Sequence, residues 1–110
     1  MNAKHATCGV IFIHSVPPPV QKHVEWAVSK LLGYRINFEW TEQPAQAGMN
    51  RGEASWTGEA GMGAMLATAF RGWEHLRYEI TEEPTAQSEG GRWSHTPGLG
   101  IFYAQTDLTG

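Results

Sequence analysis

The chain has one cysteine, Cys8, and no long hydrophobic run among its 110 residues. A single thiol cannot close an internal disulfide, and no Cys pair stands at zinc-ligand spacing, so neither kind of staple is expected to hold the fold. The longest apolar run, Cys8 to Ile13, is far short of the ~20 residues that cross a bilayer. Met1-Asn2-Ala3-Lys4-His5 lacks the apolar stretch of a secretion signal. Membrane insertion and secretion are therefore not expected, and the cytoplasm is the expected compartment. Basic charge is scarce too: eight Lys and Arg against eleven Asp and Glu leave a formal charge of −3. Nucleic-acid binders carry a clustered basic footprint, so no nucleic-acid partner is expected.

What is abundant is aromatic volume: five Trp, four Phe and three Tyr. Each large ring can bury about 150–250 Å², enough for one small core without staples. The chain reads as a single domain over residues 1–110, with a core at about 8–81 and a C-terminal extension at 85–110.

Cys8-Gly-Val-Ile-Phe-Ile-His14 is continuously apolar and predicts a central strand covered on both faces. After Pro17-Pro18-Pro19, the positions Val20, Val24, Ala27, Val28, Leu31 and Leu32 share one side of a helix, with Gly33 as its C-terminal cap. Arg35-Ile-Asn-Phe-Glu-Trp40 alternates and predicts a half-buried strand, followed by a second over residues 53–57. Met62, Met65, Leu66, Ala69, Phe70 and Trp73 form the stripe of a second helix within residues 58–73, and Leu76, Tyr78 and Ile80 alternate into a fourth strand. The order β-α-β-β-α-β predicts an α+β, ferredoxin-like fold: a four-stranded antiparallel sheet with both helices on one face. Residues 92–100 read as a compact loop before a last strand, Ile101 to Ala104. Asp107-Leu-Thr-Gly110 resembles the start of a hairpin, which leaves that strand without an obvious partner and suggests an incomplete C-terminus.

Candidate chemistry is sparse. No pair of histidines has the i, i+4 spacing of a helical metal site, and no metal or other cofactor is expected. Ser15 beside His14, and Ser94 beside His95, point to opposite faces of a strand and cannot form a dyad. The glycines of Gly58-Glu-Ala-Gly61-Met-Gly63 lack nucleotide-loop spacing, but the helix start they precede could receive one phosphate or carboxylate, as of an acyl-CoA. Two features suit a protein partner instead. Trp26 lies opposite the apolar stripe of the first helix, among Lys22, Ser29 and Lys30, where polar groups are normal. The second helix presents a smooth outer side of Ala60, Gly63, Ala64, Ala67, Thr68 and Arg71.

The chain resembles an uncharacterised actinobacterial domain-of-unknown-function family of small proteins. The likeness rests on His14, His23-Val-Glu-Trp-Ala27, Trp40-Thr41, Gln43-Pro44, Trp56, Trp73, Thr81-Glu82 with Pro84, and above all Arg92-Trp-Ser-His-Thr-Pro97 with Leu99-Gly100. The resemblance implies a role near fatty-acid synthesis, because members tend to be encoded close to such genes, and it implies longer C-termini than this one. Together these readings lead to a non-enzymatic interaction module, an accessory or regulatory subunit of an acyl-CoA carboxylase or fatty-acid synthase assembly. The expected partner-binding residues are Trp26, Lys22, Lys30, Arg71, Arg92, Trp93 and His95, with Trp26 and Trp93 as anchors. Two alternatives stand beside it. One is an acyl-thioester binder or enzyme with His14, His23 and His95 converging on a pocket; the other is the structural domain of a homodimer.

Overall fold

A computed structural model describes residues 6–73 and 75–106. It contains six strands, β1 (Ala6–Val16), β2 (Glu39–Glu42), β3 (Asn50–Glu59), β4 (Arg77–Glu82), β5 (Gly90–Thr96) and β6 (Gly100–Thr106), and two helices, α1 (Gln21–Leu32) and α2 (Met62–Ala69). The strands form one antiparallel sheet in the order β2-β3-β1-β4-β5-β6. The fold is α+β. Its sheet has two strands more than the four expected, because β5 and β6 continue it beyond β4.

α1 begins where Pro17, Pro18 and Pro19 fix the backbone and form a 3-10 turn, and it ends at Gly33, whose positive φ of 82° caps the last turn. The predicted stripe is the one that packs: Val24 and Val28 are fully buried, with Val20, Ala27, Leu31 and Leu32 beside them. α1 and α2 touch on one face of the sheet, over Ile11, Ile13, Trp56, Tyr78 and Ile80. The other face carries no element among the described residues.

That open face corrects the reading of β1. Its residues alternate between buried Thr7, Gly9, Ile11, Ile13 and Ser15 and the more accessible Cys8, Val10, Phe12 and His14. A continuous apolar run therefore does not mean cover on both sides here, and Cys8, which such cover would bury, is exposed.

α2 is rotated relative to its predicted stripe. Met65 is half exposed, whereas Gly63 and Ala67, expected on the outer side, are buried along with Leu66 and Phe70. The reason is Trp93. A methyl group at Gly63 would lie 2.5 Å from the Trp93 ring, so only glycine lets β5 bring that indole against the helix. The C-terminal segment thus covers part of the smooth helix face.

β5 was not expected as a strand. Gly90-Gly-Arg-Trp-Ser-His-Thr96 has one large apolar residue and no β-branched run, yet it pairs with β4 from Tyr78↔His95 to Glu82↔Gly91. The partner of β6 is β5, reached through the tight turn Thr96-Pro97-Gly98-Leu99, closed by a 3.0 Å bond from the Leu99 N–H to the Thr96 carbonyl. A hairpin therefore joins β5 to β6. Residues 107–110, where the sequence suggested a turn, lie outside the described residues.

Gly9 marks the closest approach of two strands. Thr81 turns its carbonyl over Gly9, where it accepts a 3.1 Å hydrogen bond from Trp56 Nε1, and the Thr81 hydroxyl accepts one from the Val10 N–H at 3.0 Å. A β-carbon at Gly9 would sit 1.8 Å from that carbonyl oxygen.

Candidate functional site

The start of α2 is closed from within. Glu82 is 4% exposed, and its two carboxylate oxygens accept the Gly61 N–H at 2.9 Å and the Gly63 N–H at 2.8 Å. The helix terminus leaves such N–H groups without partners inside the helix, and an anion there is favoured by the aligned peptide dipoles. The position that the sequence left open to an external phosphate or carboxylate already holds the chain's own carboxylate, delivered from β4. The sequence signal was slight: Glu82-Glu83-Pro84 reads locally as an acidic turn.

The three histidines of the pocket reading do not come together. His14 stands exposed on the open face, stacked parallel to Phe12 with centroids 6.0 Å apart and with Nε2 3.7 Å from Glu79. His23 is exposed on α1, on the opposite side of the sheet. His95 points inward from β5: its Nδ1 is 2.7 Å from the Leu76 carbonyl, and its ring stacks on Tyr78 at 5.0 Å. It orders the strand pair β4–β5. Among the described residues no cluster of three or more His, Cys, Asp or Glu has the geometry to hold a metal.

The seven partner-binding candidates divide in the same way. Trp93 is half-buried, packed between Gly63, Gly91 and the Tyr103 ring at 5.1 Å, and belongs to the core it was expected to lie outside. Arg92 lies on the open face, where its Nε is 2.9 Å from Glu79. Arg71 is exposed just beyond the end of α2. Lys22, Trp26 and Lys30 share the outward side of α1.

That last group has the features of a contact surface. Trp26 is 66% exposed, an unusual state for a side chain with so much apolar area. The Lys30 ammonium lies 5.0 Å from its ring centroid, which holds the indole in place without covering it. Beside it Lys22, Glu25, Ser29, Arg35, Ile36 and Asn37 line a depression of about 470 Å³. Its floor is built by Glu25, whose Oε2 accepts the Phe38 N–H at 2.8 Å and the Trp40 Nε1–H at 3.1 Å. The Ser29 hydroxyl accepts the Ile36 N–H at 2.9 Å. These bonds tie the segment 35–38 to α1. Glu25 directs one oxygen inward, while Lys22 and Arg35 line the depression and the Lys30 ammonium stands over the adjacent Trp26 ring. In a chain of formal charge −3 this is a local positive patch around an apolar centre.

Sequence reasoning found Trp26, Lys22 and Lys30 from the helical wheel. It missed Arg35 and the depression, because residues 35–38 were read as strand when they form an irregular segment ahead of β2. No helix among the described residues is long and apolar enough to cross a membrane.

No curated protein and no solved structure matches this chain. Residues 10–110 match the family described as a protein of unknown function, DUF3145, and the chain belongs to that family.

Proposed function

We propose that this protein is a non-enzymatic interaction module that docks an acidic partner through the outward face of α1, with Trp26 as the anchor. The observation that supports this best is Trp26 itself, two-thirds exposed beside a depression lined by Lys22 and Arg35, with the Lys30 ammonium over its ring. An indole at the centre of a contact is a frequent hot spot, and flanking cations select an acidic partner and speed its association. The finer form of the proposal is an accessory or regulatory subunit of an acyl-CoA carboxylase or fatty-acid synthase assembly in the cytoplasm; it rests on the family resemblance alone.

We also infer that β1–β4 and the two helices constitute a ferredoxin-like unit to which the β5–β6 hairpin is appended. The strand order β2-β3-β1-β4 within the larger sheet supports this.

The test is a comparison of wild type with Trp26→Ala in affinity capture from the native host, followed by measurement of the isolated pair. Loss of about 2 kcal/mol or more of binding with an unchanged melting curve is expected. Equal binding by the two proteins overturns the assignment of the anchor.

A further inference from the structure

The open face of the sheet holds a cavity of about 410 Å³ built on β1, β2 and β3. Its side chains stand in two cross-strand rows. Glu39, Glu53 and Phe12 are partners in the strand register and form the first row. Thr41, Arg51 and His14, each two residues further along the same strands, form the second, about 7 Å away. The Phe12 and His14 rings stand parallel and wall the β1 side. The cavity is three strands from β6, so the last described strand takes no part in it. Its charges are left uncancelled. Glu39 and Glu53 face each other directly, and like charges so placed weaken the pairing of β2 with β3. Arg51 lies two residues from Glu53 on the same side of β3, yet its Nε is directed to the Thr41 hydroxyl, 3.4 Å away. Among the described residues the ion pairs of this face both belong to Glu79, with His14 and with Arg92; neither Glu39, Glu53 nor Arg51 enters one.

We propose that this cavity binds a free α-amino acid with an apolar side chain. The two rows carry opposite charge, and the ligand that answers both is a small zwitterion. Its ammonium group sits between Glu39 and Glu53 and relieves their repulsion. Its carboxylate takes the terminal N–H groups of Arg51, whose planar fork suits a bidentate contact. Its side chain lies over the Phe12 ring, the one large apolar surface in the lining. A molecule with only one of the two charges leaves a row unanswered, and a polyanion or polycation meets like charge in the other row. The volume lies within the range of small-molecule sites. The cavity is on the face of the sheet away from α1, so its role goes beyond the docking role of Trp26 and is independent of it.

An NMR chemical-shift titration of the full chain at low ionic strength, with L-phenylalanine as the probe, tests this. Saturation within about 10 mM is expected, with the shifted amides centred on β1, β2 and β3. Phenethylamine, which lacks the carboxylate, and 3-phenylpropionate, which lacks the ammonium group, are each expected to bind about tenfold more weakly or worse. Glu53→Gln is expected to weaken phenylalanine by about tenfold and leave 3-phenylpropionate unchanged, and Arg51→Gln to weaken phenylalanine equally and leave phenethylamine unchanged. A merely structural role for either residue does not produce that split. Glu39→Gln and Arg51→Met take their places should either variant fail to fold. Trp26→Ala is expected to bind phenylalanine like wild type, which separates this result from the fate of the docking proposal. No saturation within the range, or shifts centred outside β1, β2 and β3, overturns the proposal. So does a single-charge analogue that binds as tightly as phenylalanine, or a folded Glu53 or Arg51 variant that binds it unchanged.

Discussion

Glu82→Gln probes the contact on which the α2 end of the molecule depends. The carboxylate is 4% exposed and accepts two backbone N–H groups, from Gly61 and Gly63, at 2.9 and 2.8 Å. Glutamine has nearly the same shape but only one oxygen, so its amide nitrogen must face one of the two donors. That donor is left unsatisfied, which costs about 1–3 kcal/mol, and the surviving bond loses its charge assistance. The favourable interaction of an anion with the helix dipole, up to about 2 kcal/mol when partly buried, goes as well. Against these losses stands relief from burying a charge, of several kcal/mol before compensation. The net expectation is a destabilisation of about 2 kcal/mol, or roughly 10 °C in melting temperature for a domain of this size. Urea unfolding followed by tryptophan fluorescence reads it directly, and Glu82→Ala is expected to lose about 3 kcal/mol because both donors are then orphaned. If Glu82→Gln unfolds within about 0.5 kcal/mol of wild type, the carboxylate is not the cap that the geometry indicates.

Gly9→Ala is expected to prevent folding or to destabilise by more than about 3 kcal/mol, since its β-carbon would meet the Thr81 carbonyl at 1.8 Å; a soluble protein with wild-type stability contradicts the β1–β4 packing. The two tryptophans outside the predicted core stripes should part company: Trp93→Ala is expected to lose about 3 kcal/mol and Trp26→Ala less than about 0.5 kcal/mol in the same unfolding assay. Tyr78 is buried, with its hydroxyl donating 2.8 Å to the Ala67 carbonyl, and burial pushes its pKa from 10.0 up to about 12, with Arg71 opposing weakly. A raised pKa means that the neutral phenol is favoured by folding. Its stabilising contribution is complete below pH 10.0 and is lost as the pH rises through about 12. Alkaline unfolding of Tyr78→Phe is expected to lack that decline, and an identical alkaline profile argues against it.

The amphipathic pattern of α1 was legible because six apolar residues recur at helical spacing and a glycine closes it. The alternation of Ile36, Phe38 and Trp40 gave the correct buried side even though the regular strand starts only at Glu39. α2 was harder to orient. Its burial is set by the Trp93 indole arriving from β5, and a glycine that makes room for a distant ring is indistinguishable in sequence from one on a smooth surface. β5 itself has almost no apolar periodicity; pairing on both sides, rather than its own side chains, makes it a strand. Glu82 was invisible as a cap because it acts 19 and 21 residues away from its donors. Of the proposed surface, the outward turn of Trp26, Lys22 and Lys30 followed from the helical wheel. Arg35 joined them only through the bonds that Glu25 and Ser29 make to the segment beyond the helix.

The central claim, that the Trp26 face of α1 docks a partner, is tested most directly by site-specific photo-crosslinking in the native host. A photoreactive phenylalanine analogue at position 26 is expected to join the chain covalently to one acidic protein, a carboxylase or fatty-acid synthase component in the finer form of the proposal. The same analogue at exposed Gln87 should yield no such adduct. Equal labelling from both positions, or no adduct at position 26 from a folded and abundant protein, contradicts the account.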